Sequence, residues 1–339
     1  MVTGGKRLQG YRSEIRDGSD ALVVRPHYLL CTVCLRGGCD SPPPGKERIQ
    51  RILDHVWRNR ELPIILDCPL YPVHYQDIKS KEYFQRVKGE LHNRKKDLDV
   101  LRRLGLVPGS RRPAWYLYKL MLERIPTVKG ICIYDTATSP EWEGCPHARS
   151  GYYERAREKG VGLFVPSRSK SEMQKAKENS VRSIYQDERL FIRPHHLMCI
   201  TCFYGSGGSA PLEKDNLYEV LRRIQEDPDT PITLIEGCDM ICPPCPSYNP
   251  DSNLCDNVCG LVRDYKKDLD VFQKLGLAPG ATMKAKDLFR LLFERIKTSM
   301  EICGYGDGVV TSHEWAICGN VKTRDYEKGR EKGIFPKEK

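Results

Sequence analysis

No apolar run in this chain approaches the ~20 residues that a membrane-spanning helix needs. The first residues, Met1 to Asp20, also lack the apolar core of a secretory leader. The two absences point to a soluble, cytoplasmic protein with no membrane partner. No nucleic-acid motif accompanies the basic residues, so nucleic acid is not an expected partner. No Ser-His-Asp set and no pair of carboxylates forms a catalytic constellation, and Gly205-Ser206-Gly207-Gly208 is too short for a phosphate loop. Whether the chain is an enzyme is therefore open at this level.

What the chain has in plenty is cysteine, fifteen in 339 residues. Disulfides are rare in a reducing compartment, so metal or redox chemistry is the default, intracellular proteins of hyperthermophiles being the exception. Apolar content of 40% and charged content of 29% are globular values, and the length suffices for two ordinary domains. The net charge of +10 is spread through mixed runs such as Glu327-Lys328-Gly329-Arg330-Glu331-Lys332, which read as solvated helix faces.

The stretch Arg25-Pro26-His27-Tyr28-Leu29-Leu30-Cys31-Thr32-Val33-Cys34 returns as Arg193-Pro194-His195-His196-Leu197-Met198-Cys199-Ile200-Thr201-Cys202. Lys95-Lys96-Asp97-Leu98-Asp99-Val100 returns as Lys266-Lys267-Asp268-Leu269-Asp270-Val271, and Arg157-Glu158-Lys159-Gly160 as Arg330-Glu331-Lys332-Gly333. The chain therefore reads as a tandem repeat: a flexible arm at 1–20, a first unit at 21–165, a linker at 166–188 and a second unit at 189–339. Each unit reads as α/β (or α+β), a small sheet with several helices, and the two are expected to be related by a pseudo-two-fold axis.

Within a unit the order is strand, Pro-initiated helix, amphipathic helix, strand, long helix, helix, short extended segment and closing helix. The strands fall at 21–25 and 62–66, then at 190–193 and 231–235. The long helices fall at 82–104 and 255–275, each closed by a Leu-Gly-Leu ending at Gly105 or Gly276. The extended segments are 131–134 and 302–305. A further helix is expected over 212–226.

Five cysteine positions occur in both halves: Cys31 with Cys199, Cys34 with Cys202, Cys68 with Cys238, Cys132 with Cys303, and Cys145 with Cys318. The Cys68 match competes with a match of Cys68-Pro69-Leu70-Tyr71 to Cys245-Pro246-Ser247-Tyr248. The second half alone has Cys242, Cys245, Cys255 and Cys259, giving Cys238-x3-Cys242-x2-Cys245-x9-Cys255-x3-Cys259, and Cys39 belongs only to the first. Thiolates at such spacings converge on one ion or cluster. For Cys39 and Cys259 a buried free thiol is the simpler reading. His27 and His195 are a matched pair, suited to a hydrogen bond near the helix start, and Arg25 and Arg193 to ion pairing or to offsetting a thiolate cluster.

Arg193-Pro-His-His-Leu-Met-Cys199, Ile241-Cys242-x2-Cys245-Pro246, Cys255, Asp268 and the ending Leu275-Gly-Leu277 resemble the domain of unknown function 1284 family, described as iron–sulfur binding. The resemblance covers roughly residues 190–285. It implies that Cys199, Cys242, Cys245 and Cys255 are the family's four-cysteine set, and it tilts iron–sulfur over zinc. The other shared cysteines then count to four per half: Cys202, Cys238, Cys303 and Cys318, and Cys34, Cys68, Cys132 and Cys145. Cys199 and Cys202 equally suit one shared site, as neighbours on one helix face.

Three functions follow as expectations. The first is a protein with one or more 4Fe–4S clusters in electron transfer, or as a redox accessory module beside a redox protein partner. The second is a structural zinc protein that docks a partner through its basic surface. The third is a cluster-dependent enzyme. Cys238-x3-Cys242-x2-Cys245 has the radical S-adenosylmethionine spacing, but fewer than a hundred residues follow it, too few for that barrel.

Overall fold

The computed structural model describes residues 21–68, 90–139, 142–257, 259–304 and 312–335. The chain divides into two compact units, Met1–Ser167 and Arg168–Lys339. The expected arm at 1–20 and the first part of the helix expected from residue 82 lie outside the described residues.

In the first unit β1 (Leu22–Val24) runs parallel to β2 (Pro63–Leu66), and β3 (Arg111–Pro113) pairs antiparallel with β2. A parallel pair needs a crossover, and α1 (Pro26–Arg36) and α2 (Lys46–Arg58) supply it. Pro26 opens α1, where its missing N–H costs nothing, and Arg25 before it stays extended. α2 buries Ile49, Ile52, Leu53 and Val56, a stripe at helical spacing, each worth about 1.5–3 kcal/mol on burial. α3 (Glu90–Leu104) ends at Gly105, whose φ of 70° is left-handed. α4 (Ala114–Arg124) and α5 (Tyr152–Glu158) follow.

The second unit opens with α6 (Lys170–Gln186), the stretch that reads as a linker in sequence. Ser169 and Glu172 form a reciprocal capping box at its start. Its polar surface hides an anchor: Ile184 lies in the core, and Lys177 pairs with the buried Glu219 at 2.6 Å. β4 (Leu190–Ile192), α7 (Pro194–Gly205), α8 (Leu217–Glu226) and β5 (Pro231–Leu234) come next. β6 (Tyr248–Asn249) and β7 (Leu254–Cys255) form a short hairpin, followed by α9 (Tyr265–Leu275), β8 (Thr282–Lys284), α10 (Ala285–Arg295) and α11 (Asp325–Lys332). β4 is parallel to β5 and β8 antiparallel to it. Leu190, Ile192, Leu197, Ile232, Leu234 and Leu288 fill the core beneath this sheet. No helix among the described residues is long and apolar enough to cross a membrane.

Three sequence expectations shift. The helix expected from Cys255 starts only at Gly260, as a π-helical turn over Gly260–Asp264 that runs into α9, because Asn253 takes a left-handed φ of 54° and Asp256-Asn257 favour a turn, so Cys255 pairs with Tyr248 instead. The helix expected from Leu212 begins at Leu217. Of the segments expected to be extended, the one at Cys132 is a turn with a single bridge between Lys129 and Ile133, and the one at Cys303 is a π-helical turn over Met300–Gly304; Cys132 N donates to Val128 O at 2.9 Å and Cys303 N to Ser299 O at 2.8 Å.

One crossing is close enough to need glycine. A Cβ on Gly205 of α7 would stand 1.8 Å from Asp325 O, and one on Gly329 of α11 would stand 2.2 Å from Thr201 O. Gly37, at the end of α1, meets Tyr152 O in the same way at 1.8 Å.

Candidate metal centre

Each unit has a buried carboxylate that fixes the start of its cysteine-bearing helix. In the second unit Asp268 Oδ2 accepts from Arg193 Nε at 2.9 Å and Nη2 at 2.6 Å. Its Oδ1 accepts from His195 N at 3.0 Å and Nδ1 at 2.7 Å. In the first unit Asp97 does the same for Arg25 Nε at 2.8 Å, His27 N at 3.1 Å and His27 Nδ1 at 2.6 Å. Burial pushes His27 and His195 down to about 4 against the pull of these carboxylates, so both rings are neutral at pH 7. An ionised carboxylate only accepts, so Nδ1 carries the proton and Nε2 keeps its lone pair.

Past this anchor the helices carry their thiols one turn apart, Cys31 and Cys34 on α1, Cys199 and Cys202 on α7. Cys132 and Cys145 act electrostatically on both Cys31 and Cys34. Cys303 and Cys318 act in the same way on both Cys199 and Cys202. The turn cysteines are tied backbone to backbone: Cys145 N donates to Cys132 O at 2.7 Å and Cys318 N to Cys303 O at 3.4 Å. Two helix thiols and two turn thiols thus lie within electrostatic reach in each unit, and in the first unit Cys39 joins them. Burial pushes Cys132 and Cys202 up to about 12 and Cys303 to about 11, and raises Cys31, Cys34 and Cys199 as well. These are protonated thiols that a soft metal would have to deprotonate on binding.

A buried lysine faces each set. Lys96, 5% exposed, pulls the Cys31 and Cys132 thiols down against their burial. Among the described residues it has no carboxylate within ion-pair distance. Lys267, 2% exposed, lies 3.2 Å from Asp264 Oδ1. Burial lowers its pKa, but Cys303 and Asp264 outweigh that and raise it.

The cysteines peculiar to the second half gather separately. Cys238 and Cys242 act on one another, which lowers the Cys238 thiol and raises that of Cys242, whose Sγ donates to Asp239 Oδ1 at 3.4 Å. Cys255 is an electrostatic neighbour of Cys238 and Cys245. Asp239 accepts from Arg193 N at 2.8 Å, Ile241 N at 3.0 Å and His196 Nδ1 at 2.8 Å. Two mixed donor groups have ligand atoms within 4.8 Å of one another, His195 with His196 and Cys199, and His196 with Asp239 and Cys242.

By electrostatic reach Cys199 and Cys31 lie with the shared thiols of their own units, as in the reading that gives Cys199 and Cys202 one site, and Cys238 lies with Cys242 and Cys255. Cys68 is buried near Asp97 and Arg25. Cys39, read as a free thiol, is an electrostatic neighbour of Cys31 and Cys34. Cys259 is buried and near Arg263. Sequence reasoning missed Lys96, Lys267 and Asp239 as parts of these sites. The repeated Lys-Lys-Asp-Leu-Asp was the available signal for the lysines; Asp239 had none, since it lies in no repeated stretch.

Residues 214–307 match the model of a family described as a protein of unknown function, DUF1284. The match takes in Cys238, Cys242, Cys245, Cys255, Cys259 and Cys303, but stops short of Cys199, Cys202 and Cys318 on either side. No curated protein and no solved structure matches the chain.

Proposed function

We propose that the chain is an iron–sulfur protein built from two copies of one α/β unit, each holding a 4Fe–4S cluster on four thiolates. Cys31, Cys34, Cys132 and Cys145 are the ligands in the first unit, and Cys199, Cys202, Cys303 and Cys318 in the second. The clusters carry single electrons for a redox protein partner, which makes the chain an electron-transfer or redox accessory module.

The observation that carries this reading is Lys96. A buried ammonium needs a counter-charge, and the groups it acts on are the Cys31 and Cys132 thiols and the His27 and His92 imidazoles, which burial keeps neutral. A four-thiolate metal centre is net negative and supplies that charge. Thiol spacing favours a cluster over a single ion. Zinc at ~2.3 Å from each sulfur sets neighbouring thiolates about 3.8 Å apart. Among the described residues, no three thiols lie within 4.8 Å of one another. A four-iron cluster binds each thiolate through a different iron and spreads them wider.

The test is anaerobic purification of the full chain followed by titration with dithionite. A brown protein that bleaches on reduction and loses its colour in air supports the reading. A colourless protein that stays so after anaerobic reconstitution with iron and sulfide sinks it.

A further inference from the structure

The second unit has thiols for a site that the first cannot build. Outside its four-thiol set the first unit has only Cys39 and Cys68. The second has Cys238, Cys242, Cys245 and Cys255, and its backbone is already arranged around their sulfurs. Ser247 N donates to Cys245 Sγ and Asn257 N to Cys255 Sγ, each at 3.4 Å. Such N–H···S bonds stabilise ligated sulfur and tune cluster potentials. Gly260 leaves room for the Cys255 sulfur, which would lie 2.7 Å from a Cβ placed there. Arg168 Nη1 pins the cysteine loop by donating to Pro243 O at 2.8 Å and Cys245 O at 3.1 Å. The buried guanidinium of Arg193, though paired with Asp268, also acts on Cys238 and Cys242.

The two thiol sets of this unit meet at His196. Its ring lies within 4.8 Å of Cys199 in one donor group and of Cys242 in the other. Asp239 holds His196 Nδ1 at 2.8 Å, so the ring is fixed by a carboxylate whose other bonds go to backbone N–H groups and the Cys242 thiol. At the matching position the first unit has Tyr28, whose hydroxyl accepts from Arg48 at 3.4 Å. Three thiols of this set, Cys242, Cys245 and Cys255, are partly exposed and Cys238 is buried, whereas the neighbouring set has two buried, Cys202 and Cys303, and two partly exposed, Cys199 and Cys318.

We propose that Cys238, Cys242, Cys245 and Cys255 hold a second iron–sulfur cluster, present only in the second unit, which passes an electron to the deeper four-thiol cluster across His196. The proposal rests on the cluster reading above. An external one-electron reductant reduces the outer cluster by one electron. The outer cluster returns to its oxidised state as the inner one is reduced by that same electron. No bond is made or broken and no proton is required.

The test uses the full-length chain, purified and reconstituted anaerobically, with two double variants, Cys242→Ser/Cys255→Ser and Cys202→Ser/Cys318→Ser. Each is expected to lose one third of the wild-type iron and sulfide. The electron paramagnetic resonance spectrum of the dithionite-reduced wild type is expected to show spin–spin splitting that either double variant abolishes. Wild-type iron content in Cys242→Ser/Cys255→Ser, with a loss in Cys202→Ser/Cys318→Ser, overturns this proposal and leaves the shared site standing. No iron in the wild type overturns the underlying reading instead. Should a variant fail to fold, the wild type alone decides: three clusters per chain, two of them spin-coupled, support the proposal, and two uncoupled ones refute it.

Discussion

Replacing Asp268 with alanine should cost the second unit a large part of its stability. The carboxylate is fully buried and accepts four hydrogen bonds, two from Arg193 and two from His195. Its removal strands a guanidinium that is only 4% exposed. Breaking a buried pair from one side costs about 3–5 kcal/mol, because the remaining charge is left uncompensated. Typical domains have about 5–15 kcal/mol in total. Asp268→Asn keeps the shape but turns one acceptor into a donor facing donors, so it should recover only part of the loss. The control is Asp270→Ala, which removes the partly exposed pair with Lys266 on the same helix and should cost about 0.3–0.5 kcal/mol. Urea unfolding gives the energies. Hydrogen exchange at the His195 amide, which donates to Asp268, localises the change. If Asp268→Ala unfolds within about 1 kcal/mol of Asp270→Ala, the buried pair is not what holds the helix start, and the reasoning from burial fails.

Acid should weaken the metal-free protein before its carboxylates titrate. His27, His92 and His195 are pushed by burial from 6.5 to about 4, so the unfolded chain binds their protons first and stability falls as pH drops from about 6.5 towards 4. The loss is at most about 3 kcal/mol per imidazole, and a flat urea midpoint between pH 7 and 4.5 would contradict it. His92→Leu should flatten part of that slope, since neither ring nitrogen of His92 has a hydrogen-bond partner among the described residues. Gly329→Ala should destabilise by about 1–3 kcal/mol through its clash with Thr201 O, whereas Gly319→Ala, with open space at its Cβ, should melt like the wild type. Lys96→Met should split the two states: a higher melting temperature without metal, because a buried charge is gone, and weaker cluster retention with a more negative potential. An unchanged potential would remove Lys96 from the site.

Local signals carried most of what the sequence disclosed. Pro26 and Pro194 mark helix starts because their missing N–H is harmless only there, and Gly105 and Gly276 mark helix ends because they take the left-handed conformation. The aliphatic stripe of Ile49, Ile52, Leu53 and Val56 gave its helix by spacing alone. The extent of the helix before Leu275 was not legible, because hydrophobic spacing said nothing of the turn at Asn253 or of the pairing of Cys255 with Tyr248. α6 looked like a linker because its two buried residues, Ser180 and Ile184, include only one apolar side chain and leave little periodic signal. Counting paired the cysteines of the two halves but carried no distances. Cys199 and Cys318 are far apart in sequence, and only the fold brings them within electrostatic reach. Lys96 and Lys267 sit in a charged run that reads as a solvated helix face, and their burial belongs to the tertiary structure.

Elemental analysis of the full chain, purified under strict exclusion of air, tests the central claim most directly. Iron, acid-labile sulfide and zinc would be measured on one sample, for the wild type and for Cys145→Ser and Cys318→Ser. The account predicts iron and sulfide in equal amounts, little zinc, and a fall in iron in each variant. Stoichiometric zinc without sulfide, or iron unaffected by either substitution, would contradict it.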